Sequence, residues 1–201
     1  MQKTRLSQPL AFGIVFLAGL LFTALTLLTN ETLASFVNLI PGILAVGALL
    51  AAGFTAGDCN LKPGPLSKRG GLYLLVTILM LPALYLTGRF TGWNWTAALF
   101  HAPASAIAQE LFFRCALLPV CLAIMKGRPV AGVLLHAVLF ALWHLPKVAQ
   151  SGQLAGIIAV VVFTFICGIL WGLQVQRDRT VYWLLGLHAL ALVANSMFTW
   201  G

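Results

Sequence analysis

The chain has 201 residues, of which 61% are hydrophobic and only 8% are charged, whereas a soluble domain carries about 25% charged residues. That balance excludes a soluble globular domain and points to a polytopic membrane protein. The net charge of +8 does not imply nucleic acid, because the basic residues sit between apolar runs, where they set orientation in the lipid bilayer.

Lys3 and Arg5 precede a first apolar run over about 10–28. It is too long for a typical signal-peptide core and lacks a small-x-small cleavage site, so it reads as a retained transmembrane helix. Asn30-Glu31-Thr32 is a polar turn before a second run over about 33–56, in which Pro41-Gly42 predicts a kink that helix neighbours can tolerate. Residues 58–69 form a loop broken by Pro63, Gly64 and Pro65 and charged by Lys62, Lys68 and Arg69. A third run covers about 71–87, and Trp93 and Trp95 then suit the headgroup region.

The fourth run, Thr96 to Met125, exceeds what a bilayer core needs at ~1.5 Å per residue. It is therefore tilted or broken, with Pro103 and Pro119 as the candidate breaks. A fifth run over about 130–145 ends at His144-Leu-Pro146, and a polar loop follows over 147–153. A sixth covers about 154–175 and a seventh about 181–198. Cys115, Cys121 and Cys167 lie in apolar runs and Cys59 in a loop. They read as small buried hydrophobes rather than a disulfide framework.

The predicted fold class is all-α, a helical membrane bundle of about seven transmembrane helices. Residues 1–201 form a single integral membrane domain, with 96–198 carrying the candidate site. Threading the runs puts Lys3, Arg5, Lys62, Lys68, Arg69, Lys126, Arg128, Arg177 and Arg179 on one side and only Arg89 and Lys147 on the other. The positive-inside rule then predicts a cytoplasmic N-terminus, an external C-terminus and a multi-pass protein of the cell membrane.

Gln109-Glu110-Leu-Phe-Phe-Arg114 lies in the middle of the fourth run. A charge there costs roughly 2.5–3.5 kcal/mol on insertion scales, and the default explanation is function. Glu110 and Arg114, four residues apart, share a helix face, while Gln109 is turned ~100° away. The bland alternative is a buried ion pair or helix clamp, and for Gln109 an interhelical hydrogen bond. His188 lies near the middle of the seventh run, at a depth matching Glu110. His144 is nearer the outer surface, four residues after Phe140. Asn195 is on nearly the face of His188 but ~10 Å further along. His136 reads as packing and His101 as interfacial.

One carboxylate helix and two histidine helices fit two chemistries. A carboxylate can act as general base on water while imidazoles hold the water or the oxyanion. Alternatively, Glu and His can bind a divalent metal such as zinc that carries the water. Residue types do not separate these, and no HExxH helix favours the second. The first needs no cofactor.

Three stretches in this order resemble the CPBP family of intramembrane proteases, which groups type II CAAX prenyl endopeptidases with bacteriocin-processing and self-immunity proteins. Gln109-Glu110-Leu-Phe-Phe-Arg114 is similar to its Glu-Glu-x-x-x-Arg motif, Phe140-Ala-Leu-Trp-His144 to Phe-x-x-x-His, and His188 begins the counterpart of His-x-x-x-Asn. The resemblance covers about 96–198. It implies a glutamate-type endopeptidase acting on a membrane-embedded or lipid-modified peptide, in which the first Glu activates water. The second Glu and the Arg would support it, and the histidines and Asn would hold water and oxyanion.

Two positions depart from the pattern. The water-activating Glu is Gln109, an amide with no titratable carboxylate. An introduced inactivating substitution, a natural non-catalytic relative, or transfer of the base role to Glu110 would each account for it. The Asn position falls on Leu192, with Asn195 one turn beyond. Two further classes stand beside the protease: a non-catalytic immunity or chaperone protein on the same scaffold, and a small proton-coupled transporter using Glu110–Arg114 as a relay. Inverted repeats would favour the transporter, and none is visible.

Overall fold

The computed structural model describes residues 6–85, 89–149 and 154–199. α1 (Gln8–Leu28) starts with Pro9 in its first turn, where the missing N–H has no intrahelical partner to lose. Asn30 caps α2 (Glu31–Val37) by accepting from the Leu33 N–H at 2.9 Å. α3 (Leu39–Ala51) follows. The interruption expected at Pro41-Gly42 lies at Asn38, three residues earlier. A proline removes the bond to the carbonyl four residues before it and crowds that carbonyl, which here belongs to Val37. The run also ends at Ala51 rather than near residue 56.

α4 (Lys68–Tyr85) is followed by β1 (Arg89–Phe90) and then the central span. This span begins with a π turn over Ala97–His101, continues as α5 (Ala102–Phe112), widens into a second π turn over Phe113–Leu117 and ends as α6 (Leu118–Ile124). Pro103 and Pro119 each sit just after a π turn. The carbonyls their rings would crowd belong to Leu99 and Cys115, inside the widened turns. The predicted breaks are therefore local widenings, and the helix continues.

α7 (Pro129–Ala149) runs past Pro146, where the sequence pattern predicted its end. A proline removes a single ladder bond, which a bundle helix tolerates. Positions 150–153 of the expected loop lie outside the described residues, as does the end of the third run. α8 (Leu154–Asp178), α9 (Tyr182–Asn195) and β2 (Phe198–Thr199) complete the chain. β1 and β2 pair antiparallel, Arg89 with Thr199 and Phe90 with Phe198, a short addition to the expected all-α architecture.

Among the described residues, five helices are long and apolar enough to cross a membrane: Gln8–Leu28, Thr32–Ala51, Ala97–Ile124, Pro129–Ala149 and Gly156–Asp178. With α4, of 18 residues, and α9, of 14, the described residues form seven helical segments in the bundle. α9 reaches only ~21 Å at 1.5 Å per residue, short of a ~30 Å hydrocarbon layer. Leu17, Leu20, Leu79 and Leu190 stand exposed on the perimeter, as lipid-facing residues do. The multi-pass helical membrane protein predicted by composition is what the chain forms.

The most extensive helix packing is α7 with α8, followed by α1 with α3 and then α3 with α5. Small residues permit these approaches. A Cβ on Gly168 of α8 would lie 2.9 Å from the Ala137 Cα of α7, and one on Gly42 of α3 would lie 3.1 Å from the Leu111 Cβ. The core between the helices is aromatic, with Phe22, Phe113 and Phe140 fully covered.

At the basic end, the loop before α4 is stitched to the α8–α9 junction. Leu61 bridges Thr180, and the Val181 N–H donates to the Asn60 carbonyl at 3.1 Å. Tyr182 Oη donates to the Leu61 carbonyl at 3.1 Å and Trp183 Nε1 to the Gly64 carbonyl at 2.9 Å. Asp58 pairs with Arg179 at 2.8 Å. Hydrogen bonds from the Thr55 side chain and backbone, with Arg179 beside it, hold the Asp58 carboxyl below its usual range. Cys59 is fully buried, and burial pushes its thiol up to about 11. All four cysteines are free and buried, as small hydrophobes are.

Candidate active site

The central span places Glu110 near the end of α5 and Arg114 in the π turn that follows. Both are essentially fully buried. Arg114 Nε lies 3.5 Å from Glu110 Oε2, an ion pair rather than a close hydrogen bond. The other oxygen, Oε1, is 2.6 Å from His188 Nδ1. Depth matching had placed His188 opposite Glu110, and the two helices bring them into contact. The pair is short because a carboxylate and a ring N–H form a charge-assisted bond.

The Arg114 guanidinium is solvated by rings. Its carbon lies 4.0 Å from the Phe140 centroid, 5.1 Å from Trp171 and 5.9 Å from Phe113. Its nitrogens have no hydrogen-bond partner among the described residues. Cation–π attraction in a desolvated site is worth roughly 2 kcal/mol or more, and it substitutes here for part of the lost hydration. Trp171 also lies 4.8 Å from the His188 ring. Its indole N–H donates to Thr77 Oγ1 of α4 at 3.1 Å. Thus α4, α5, α7, α8 and α9 all contribute to one buried centre.

His144 Nδ1 lies 2.8 Å from the Phe140 carbonyl. A carbonyl only accepts, so this nitrogen carries a proton; when the ring is neutral, Nε2 is left with the lone pair. His188 likewise donates from Nδ1, here to Glu110 Oε1. The two imidazoles are linked through packed rings, with Phe140 4.8 Å from His144 and 6.2 Å from Trp171. His144 also faces a notch of about 30 Å³ lined by Thr23, Thr26, Leu27, Trp143 and Lys147, large enough for a water.

Gln109 is buried but does not join the Glu110 cluster. Its Nε2 donates to Ser105 Oγ on the same helix at 3.0 Å. Asn195 is the last residue of α9, and its side chain is exposed, away from the buried centre. Leu192 is half-buried. His136 packs parallel to the Phe140 ring, centroids 6.3 Å apart, and His101 lies edge-on to Phe36. Trp171, Thr77 and Phe113 are parts of the site that the sequence reading missed. A tryptophan and a threonine inside apolar runs each carry a polar atom that needs a partner, which was the available signal.

Among the described residues, no three His, Cys, Asp or Glu side chains converge as metal ligands. Glu110 and His188 supply two donors to such a site.

The fold and this centre define a class: a polytopic helical membrane protein with a carboxylate, a guanidinium and an imidazole buried together between its helices. The family model described as type II CAAX prenyl endopeptidase, Rce1-like, matches residues 91–194. The chain belongs to this family of proteases. No curated protein and no solved structure matches the chain.

Proposed function

We propose that the chain is an intramembrane endopeptidase for a membrane-embedded or lipid-modified peptide, and that the amide at position 109 weakens its water activation. The observation that carries this is the 2.6 Å contact of Glu110 with His188 beside position 109. Glu110 is enclosed between His188 and Arg114 with its side chain 2% exposed. A carboxylate so enclosed suits orientation better than proton removal from an incoming water. A Glu at 109, on the side of the helix that faces Ser105, would add a second carboxylate paired with neither Arg114 nor His188. In the proposed reaction, water oxygen bonds to the peptide carbonyl carbon, and the water proton passes to that base. The C–N bond then breaks as the departing amine takes up the proton. In their neutral forms His144 and His188 would each offer an Nε2 lone pair to hold the water.

The test compares the chain with Gln109→Glu, in lipid nanodiscs, on a lipidated peptide. The Glu form is expected to cleave about 10²–10⁴-fold faster with similar peptide affinity. Failure of both forms to bind or cleave membrane peptides would refute this function and favour the transporter or chaperone alternatives.

The Glu110–His188 contact also supports a second reading. Glu110 would fix the tautomer of His188, as the buried carboxylate does in a catalytic triad, and Nε2 would take the proton from water. Equal cleavage by both forms, abolished by His188→Gln, would favour this route.

A further inference from the structure

The loop between α3 and α4 sends one side chain into the bundle. Asn60 is 2% exposed and has a φ of 57°, a left-handed conformation in which asparagine is enriched. Its Nδ2 donates to the Arg114 carbonyl at 2.9 Å. That carbonyl lacks a donor on its own helix for a covalent reason. In the π turn, the Leu118 N–H bonds to the Phe113 carbonyl instead of to Arg114. The next residue that could serve Arg114 is 119, a proline, which has no N–H. An unpaired carbonyl at membrane depth costs several kcal/mol.

The backbone of Asn60 makes a second connection. Its carbonyl accepts from the N–H of Val181, the residue before α9, at 3.1 Å. α9 carries His188. A single residue therefore bonds both to the turn that aims Arg114 and to the start of the helix that brings His188 to Glu110. The Asp58–Arg179 pair and the Leu61–Thr180 bridge fix the loop on either side of it.

We propose that Asn60 is a positioning residue of the active site. By occupying the carbonyl that the π turn and Pro119 leave open, it sets the placement of Glu110 and Arg114 relative to His188. This rests on the reading of that cluster as the reaction centre.

The experiment uses the full chain in nanodiscs, with Asn60→Ala, Asn60→Asp, Pro119→Ala and Asn60→Ala/Pro119→Ala. Aspartate keeps the size and backbone preference but removes the donor. Pro119→Ala restores an N–H that can reach the Arg114 carbonyl through the π turn. The first readout is the downfield Nδ1–H proton resonance of His188, assigned by its absence in His188→Gln. It is expected to shift or vanish in both Asn60 variants and to return in the double variant, with Pro119→Ala alone close to the parent. The second readout is cleavage in the Gln109→Glu background, where kcat should fall about 100-fold with KM little changed and recover in the double variant.

If Asn60→Ala does not fold, recovery of folding by Pro119→Ala equally supports the role. An unchanged His188 resonance in Asn60→Ala, or a double variant no better than Asn60→Ala, would overturn it. If no form cleaves peptide, the proposed function fails, while the resonance still decides the placement.

Discussion

The first and central spans are both apolar helices long enough to cross a membrane, yet they solve opposite problems. The most apolar stretch of α1 is 22% buried within the protein, and that of the central span is 72% buried. α1 has no charged residue and a regular α-helical path, with Leu17 and Leu20 turned outward. The central span carries Glu110 and Arg114, two prolines and two π turns. Lipid can cover leucine, but it cannot hydrogen-bond a carboxylate or an orphaned carbonyl. Of these two spans, the irregular and charged one is the one that other helices surround.

Removing one charge should break this contrast most severely. Glu110→Leu leaves Arg114 buried without a counter-ion and is expected to destabilise the protein by about 3–5 kcal/mol, read by thermal unfolding in nanodiscs. Glu110→Leu/Arg114→Met should regain most of that loss because no charge is left alone. A double variant as unstable as the single one would show that packing, rather than charge, sets the cost. Gly168→Val tests the close approach of α7 and α8. Its added atoms meet the Ala137 backbone, and the expected loss is about 1–3 kcal/mol.

Smaller effects belong to the first span. Thr26 Oγ1 accepts from Asn38 Nδ2 at 2.8 Å. Thr26→Val should cost about 0.6 kcal/mol, typical of an interhelical hydrogen bond in a membrane protein. Leu20→Ala, on the exposed face, should alter unfolding by less than about 0.5 kcal/mol. A larger loss there would mean that α1 packs against protein on that side as well.

Residue spacing was enough to read the shared face of Glu110 and Arg114, because four residues make slightly more than one helical turn. The depth of His188 in its apolar run suggested the imidazole now found at Glu110. Arg114 was legible as a buried charge, but its setting was not. Phe140 and Trp171 approach it from other helices, and a ring in an apolar run looks the same whether it faces lipid or a guanidinium. Pro119 was visible as a break. Its chemical consequence depended on the π turn, which moves the Leu118 N–H to Phe113 and leaves Arg114 to Asn60. Gln109 was legible as an amide in place of a carboxylate, whereas its bond to Ser105 required the folded helix.

The short ladder between β1 and β2 has a consequence for the order of assembly. It joins residues 89–90 to 198–199, so it closes a loop that contains the whole central span and every helix after it. Closing a long loop carries an entropic cost that later contacts must offset. The ladder can form only after α9 has been synthesised and folded back. Slow exchange of the Thr91 amide, which donates to the Met197 carbonyl at 2.8 Å, would therefore timestamp completion of the bundle.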